Sequence, residues 1–369
     1  LGASVDTKVV LALGKSMRPG HCASLIYTSG TTGQPKAVMV SHDNVTWTST
    51  NIINHYMKLD SSDRVVSYLP LSHIAAQLID IYCMLLLGGC TYFAQPDALK
   101  GTLTNALRDV KPTFFFGVPR VWEKIQEKMV QVGRGITGVT KTISTWAKGK
   151  ASAHCEMLQY GRGGGAPWGY WLAKTVVLGK IKAAVGLQEC KGCFTAAAPI
   201  SPDTLNYFAS LNIPVYEVFG QSECTGPHTV SFRHCWKIGT CGRAIKGTES
   251  MIAPNTGELC YRGRHIFMGY MYMPDKTAET IDDEGYLHSG DVAELDDDGG
   301  FMRITGRIKE LIITAGGENV PPVLIENEVK AAMVAVSNCM VIGDKRKYLS
   351  MLVSLKVNPD IDANPTDDL

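Results

Sequence analysis

Short apolar runs alternate along this chain with stretches of helical periodicity. Residues 23–28 read as a strand feeding a Ser/Thr/Gly-rich segment, and Val38-Met39-Val40 as the strand leaving it. Ser41-His42-Asp43-Asn44 sets capping residue types ahead of an apolar periodic stretch and predicts a helix start. Residues 65–69 and 113–118 read as strands, and residues 121–125 continue as helix. Strands alternating with helices predict an α/β fold with a doubly wound, mostly parallel sheet. The apolar run over 79–89 is broken by Asp80 and falls far short of the ~20 residues that span a bilayer. It reads as a buried helix stopped by Gly88-Gly89. Residues 161–169 hold five glycines and a proline with no strand before them, so they read as a loop and not as a dinucleotide fingerprint. From Gly239 to about Arg303 strands are short and turns frequent, predicting a small antiparallel, barrel-like subdomain. A helix start at 325–330 and strands at 337–342 and 349–357 predict a partial α+β lobe. The expected division is 1–238, 239–306 and 307–369, with 360–369 an acidic linker or solvated end.

Composition narrows the class. With 369 residues, 45% of them hydrophobic and 19% charged, the chain can bury a large core and is not a disordered protein. A net charge of +1 and the lack of a basic stripe with interleaved aromatics argue against nucleic acid as a partner. The 11 cysteines are odd in number and irregular in spacing, which points to reduced thiols in a cytoplasmic setting. Cys190-Lys191-Gly192-Cys193 is the one CxxC pair, and it has no second pair at ligand spacing, so a structural metal is not expected.

The strongest chemical signal is Tyr27-Thr28-Ser29-Gly30-Thr31-Thr32-Gly33-Gln34-Pro35-Lys36. Its glycines allow backbone N–H groups to turn toward an anion, its hydroxyls donate to phosphate oxygens, and Lys36 adds a mobile positive charge. It holds the chemistry of a triphosphate cradle without the Gly-Lys-Ser/Thr ending of a Walker A loop.

Further strings follow. Leu69-Pro70-Leu71-Ser72-His73 comes first, then Tyr216-Glu217-Val218-Phe219-Gly220-Gln221-Ser222-Glu223 and Thr256-Gly257-Glu258-Leu259. Gly285-Tyr286-Leu287-His288-Ser289-Gly290-Asp291 and Ile304-Thr305-Gly306-Arg307-Ile308-Lys309-Glu310 complete the set. In order and spacing, from residue 27 to about 357, the chain resembles the adenylate-forming superfamily of acyl-CoA synthetases, luciferases and peptide-synthetase adenylation domains. Within it the chain is most similar to the long-chain fatty acid–CoA ligases of bubblegum type.

The resemblance implies activation of a long-chain fatty acid by ATP to an acyl adenylate, followed by transfer to coenzyme A. Thr28, Ser29, Thr31, Thr32 and Lys36, with Gly30, Gly33, Gln34 and Pro35 around them, are then the phosphate cradle, with Thr31, Lys36 and Glu223 catalytic. Glu223 is the Mg²⁺ ligand, in keeping with a hard cation held by a carboxylate and phosphates. Ser222 stands where threonine is usual and would meet the α-phosphate. Phe219 takes the place of the adenine-stacking aromatic, between Val218 (commonly glycine) and Gly220-Gln221. Ala197, among small residues, would let the base lie close to backbone. Asp291 and Arg307 anchor the ribose. His73 would orient the acyl carboxylate, with Arg120 and Trp122 beside the same cavity. Gly316 and Gly317 would admit a pantetheine arm, and a hinge falls at 307–309. The cysteine usage implies cytoplasmic placement, and the substrate implies peripheral contact with endoplasmic reticulum or other lipid membranes.

The resemblance also implies a segment before residue 27 and a lysine in the C-terminal lobe that this sequence does not supply. The expectation is a fragment that binds ATP weakly and adenylates poorly. The alternatives are an adenylate-forming enzyme for another carboxylic acid, or a non-catalytic binder of acyl groups and nucleotides.

Overall fold

The computed structural model describes residues 5–28, 35–163, 165–233, 235–296, 300–333 and 335–356. Its centre is a five-stranded sheet. Phe114–Phe116, Gly192–Thr195 and Val215–Gln221 run parallel as neighbours; Gly226–Val230 and then Arg243–Ala244 extend the sheet antiparallel. A separate parallel pair joins Arg64–Ser67 to Cys90–Phe93.

Strand alternation divides the core. Successive side chains point to opposite faces, so Phe115 and Cys193 enter one cluster with Trp122, Leu107 and Phe208. Phe114 and Phe194 enter the opposite one with Leu78, Tyr216 and Trp236. The helices Pro119–Arg134 and Pro202–Ser210 bury Trp122 and Phe208 against the first face. Trp122 is therefore a core residue, its indole N–H shared between the carbonyls of Gly117 and Phe194 at 3.1 Å each. Its sequence position beside Arg120 predicts a place at the substrate cavity, and the core claims it instead.

The strand Cys22–Thr28 pairs antiparallel with Lys36–Ser41, placing Thr28 directly opposite Lys36, and Gly269–Tyr270 adds to the far side of Lys36–Ser41. Ser29, Gly30, Thr31, Thr32, Gly33 and Gln34 join the two strands and lie outside the described residues. The helix His42–Ile52 starts where the capping residues predict: Ser41 accepts from the Asn44 N–H at 3.0 Å and Asn44 Oδ1 accepts from the Ser41 N–H at 2.9 Å. The apolar run after His73 is helical from Ile74 to Leu87 with a π-helical middle, Gln77–Cys83, and it stops at Gly88 with φ 67°.

The segment expected to be barrel-like is antiparallel: Glu249–Ile252, Glu258–Arg262, Leu287–Leu295 and Met302–Arg307 form an open four-stranded sheet in that order. Its register sets Asp291 directly opposite Arg307. Beyond it the helix Pro322–Ala332 packs on the hairpin Val336–Ile342 and Ser350–Leu355. Among the described residues no helix is long and apolar enough to cross a membrane.

Candidate active site

A cavity of about 780 Å³ opens where these sheets meet. One part is apolar, walled by Ile52, Tyr56, Met57, Leu78, Phe114 and Phe194. The other is polar and gathers Thr28, Lys36, Ser222, Glu223, Asp291 and Arg307 from four distant stretches of sequence. His73, Ala197, Val218, Gly220 and Gln221 also line it.

Gly220 is at its tightest backbone approach: a Cβ there would collide with the carbonyl of Gly226. That contact brings the turn after Val215–Gln221 close enough to carry Ser222 and Glu223 into the cavity. Ala197 sits at φ 75°, a left-handed conformation that costs an alanine about 1–2 kcal/mol.

Glu223 Oε1 accepts a hydrogen bond from Tyr270 Oη at 2.8 Å, while Lys36 Nζ stands 4.5 Å from the Tyr270 ring centroid. Burial pushes the Tyr270 phenol up, and the Glu223 charge adds to it, so the hydroxyl stays a donor. Arg307 Nε donates to Asp291 Oδ1 at 3.2 Å, and Arg307 also faces Glu310 at 3.8 Å. Burial raises the Asp291 carboxyl to about 6, against the pull of Arg307.

His73 accepts at Nδ1 from the Ala75 N–H at 3.2 Å and caps the helix that begins at Ile74. Burial lowers its pKa, so the ring is neutral near pH 7 and Nε2 carries the hydrogen.

Beside Asp291 a second network closes the turn: Glu258 Oε1 accepts from the Gly290 N–H at 2.8 Å, and Oε2 meets His288 Nδ1 at 2.9 Å. Asp282 takes the other ring nitrogen at 3.4 Å. The Glu258 hydrogen bond is the main reason the His288 pKa is raised. Glu258, Cys260 and His288 hold their ligand atoms within 4.8 Å of one another. The ion pair and the Gly290 contact already engage the carboxylate and the ring.

Some expected residues are elsewhere. Phe219 is not among the cavity-lining residues, although Val218, Gly220 and Gln221 around it are; its ring stands edge-on to Tyr261, centroids 6.5 Å apart. Gly316 and Gly317 lie in the turn between Ile312–Ile313 and Asn319–Val320, also outside the lining, as do Pro35 and Arg120. Conversely Tyr270, Glu258 and His288 line the cavity although no role was expected of them, and Lys309, expected at the hinge, lines it as well. Glu258 and His288 stood inside quoted strings, but only the tertiary pairing shows what they hold.

The AMP-binding enzyme family matches residues 4–271 and the AMP-binding enzyme C-terminal domain matches residues 309–367. This chain belongs to the AMP-binding enzyme family. Two similar relatives are the long-chain-fatty-acid–CoA ligases ACSBG2 of Xenopus laevis, 50% identical over 375 residues, and of Gallus gallus, 50% identical over 386. Both alignments take in 100% of this chain, and 50% and 49% of the relatives. ACSBG1 of Rattus norvegicus is 45% identical, with 52% of its length matched. The chain thus spans about half the length of the curated relatives it matches. Among solved structures, an ATP-bound RpMatB-BxBclM chimera superposes with a TM-score of 0.69 at 24% identity, over 92% of this chain and 58% of that one. O-succinylbenzoate coenzyme A synthetase (MenE) of Bacillus subtilis in complex with AMP gives 0.69 at 20% identity, over 95% and 63%.

Proposed function

We propose that the chain carries the adenylation site of a long-chain fatty acid–CoA ligase, which joins a fatty acid to ATP and then to coenzyme A. The observation that carries this reading is the single cavity that sets Lys36, Glu223, Asp291 and Arg307 at one end and an apolar wall at the other. The relatives named long-chain-fatty-acid–CoA ligases support the acid class.

A fatty carboxylate is a poor electrophile. In the proposed first step its oxygen bonds to the α-phosphorus of ATP while the bond from that phosphorus to the bridging oxygen breaks, releasing pyrophosphate. In the second a thiolate attacks the acyl carbon and AMP leaves with the bonding pair. His73, neutral with Nε2–H free of the helix cap, donates to the carboxylate and orients it. Lys36 and Thr28 contact the phosphates, and Ser222 the α-phosphate. Asp291 accepts from the ribose hydroxyls with Arg307 beside it. Glu223, a hard carboxylate with Oε1 tied to Tyr270, is the residue that would hold a divalent cation. A bound Mg²⁺ would neutralise phosphate charge. The apolar wall rewards chain length, since each buried methylene is worth about 0.8 kcal/mol. Arg307 and Lys309 both line the cavity at the end of Met302–Arg307, where the proposed hinge to the following lobe falls. Ala197 and Val218 offer a close apolar surface for the base.

The test is palmitate-dependent exchange of labelled pyrophosphate into ATP, run on this chain and on a form extended to the length of the relatives. Exchange by the extended form that is lost in Glu223→Gln supports the reading. Exchange driven better by an aryl acid or an amino acid than by palmitate would overturn the substrate class.

A further inference from the structure

Residues 138–185 differ from the rest of the chain in charge and in what they expose. They carry seven lysines and arginines against one acid, Glu156, although the whole chain is only +1. The helix Gly138–Leu158 packs on the helical run from Tyr170 to Val185 through Ala147, Ala151, Ala173 and Leu178. Small residues bring these helices together and leave the large apolar side chains outside. Trp168 is 89% exposed and Trp171 65%, and Leu172 and Val176 continue the ridge at 61% and 46%. Trp171, Leu172 and Val176 lie on the helical run that begins at Tyr170, and Trp168 stands just before it, ahead of Gly169 at φ 82°. Lys174 Nζ stands 5.0 Å from the Trp171 ring centroid, and the stem of Lys150 borders Gly169 between the two tryptophans.

We infer that this ridge is a docking surface for an anionic lipid membrane. Indole rings favour the boundary between headgroups and acyl chains, lysine stems lie along apolar surface while their ammonium groups reach lipid phosphates, and each basic residue near an anionic leaflet adds to the attraction. A nucleic acid would satisfy the lysines and could stack on the indoles, but it offers nothing to Leu172 and Val176. An apolar layer under an anionic surface accommodates all of them. The surface lies outside the cavity lining, so the inference stands or falls separately from the catalytic reading.

The experiment is sedimentation of the protein with phosphatidylcholine vesicles, with and without phosphatidylserine, while following tryptophan fluorescence. The expected result is binding only to the serine-containing vesicles, a blue shift on binding, and loss of binding as salt is raised. Trp168→Ser/Trp171→Ser should weaken it by about tenfold or more, and Lys150→Glu/Lys174→Glu should abolish the preference for anionic lipid. Leu85→Ser, exposed outside this ridge, should bind as the parent does. Melting curves confirm that each variant is folded. The inference is overturned by equal binding of parent and tryptophan variant, by equal binding to neutral vesicles, or by a change in oligomeric state on removing the tryptophans. It is also overturned if a form extended to the relatives' length does not bind, which would make the protein's own chain the occupant.

Discussion

Tyr270 joins the two charged groups that matter most in the cavity: its hydroxyl donates to Glu223 Oε1 at 2.8 Å and its ring underlies Lys36 Nζ at 4.5 Å. The tyrosine comes from Gly269–Tyr270, paired with the strand that begins at Lys36. It thereby fixes the distance between the carboxylate proposed to hold the metal and the cation proposed to hold phosphate. Hydrogen bonds to a charged group contribute about 1.5–3 kcal/mol, so Tyr270→Phe should weaken magnesium-dependent ATP binding by about tenfold or more. In a Glu223→Gln background the same change should have little effect. Calorimetric titration of the four proteins checks this; additive losses would show that the two residues act independently.

Asp291 gives the site a pH dependence. Its carboxyl, raised to about 6 by burial, must be ionised to accept hydrogen bonds from both ribose hydroxyls. ATP affinity should therefore be full above pH 7 and decline as pH falls through about 6. Asp291→Asn should bind weakly at every pH, with that step gone. A step of the same size in the variant would assign the titration to another group.

Two small residues in the cavity wall should respond in opposite ways. Gly220→Ala forces a Cβ into the Gly226 carbonyl and should cost about 1–3 kcal/mol of stability as overpacking. Ala197→Gly relieves an alanine held at φ 75° and should add up to about 1 kcal/mol. Denaturant midpoints measure both, and a stabilised Gly220→Ala would contradict the packing described.

A buried histidine pair should govern acid stability. His228 Nδ1 and His265 Nε2 are 3.1 Å apart, and Ser250 Oγ meets the other His228 nitrogen at 2.8 Å. Burial lowers both rings, His265 to about 4 and His228 well below its usual value. A depressed folded value means that the neutral rings stabilise the fold above the unfolded value of about 6.5. That stability is lost as pH falls from about 6.5 through about 4. The melting temperature should drop across this window, and His265→Gln should be less stable at pH 7 with a flatter profile. A melting temperature unchanged from pH 7 to 4.5 would contradict the assignment.

Much of this was legible where a local rule decides the structure. The Ser41–Asn44 cap, the stop at Gly88 and the strands around residues 26, 39 and 115 all follow from residue type and period. What escaped depends on pairing between distant segments. Nothing near Tyr270 marks it as a partner of Glu223, because the contact exists only once Gly269–Tyr270 joins the strand after the loop. The phosphate-cradle residues 29–34 lie outside the described residues. The closeness of Thr28 and Lys36, which flank them, follows from the hairpin register.

The most direct test of the central claim is binding of a non-hydrolysable palmitoyl-adenylate analogue to this chain, followed by calorimetry. One cavity that holds both halves of the adduct predicts saturable, one-to-one binding. Affinity should fall sharply in Asp291→Ala, and also when the palmitoyl group is shortened to acetyl. Binding that is absent, or that is equal in the parent, in Asp291→Ala and with the acetyl analogue, would contradict an acyl-adenylate site in this cavity.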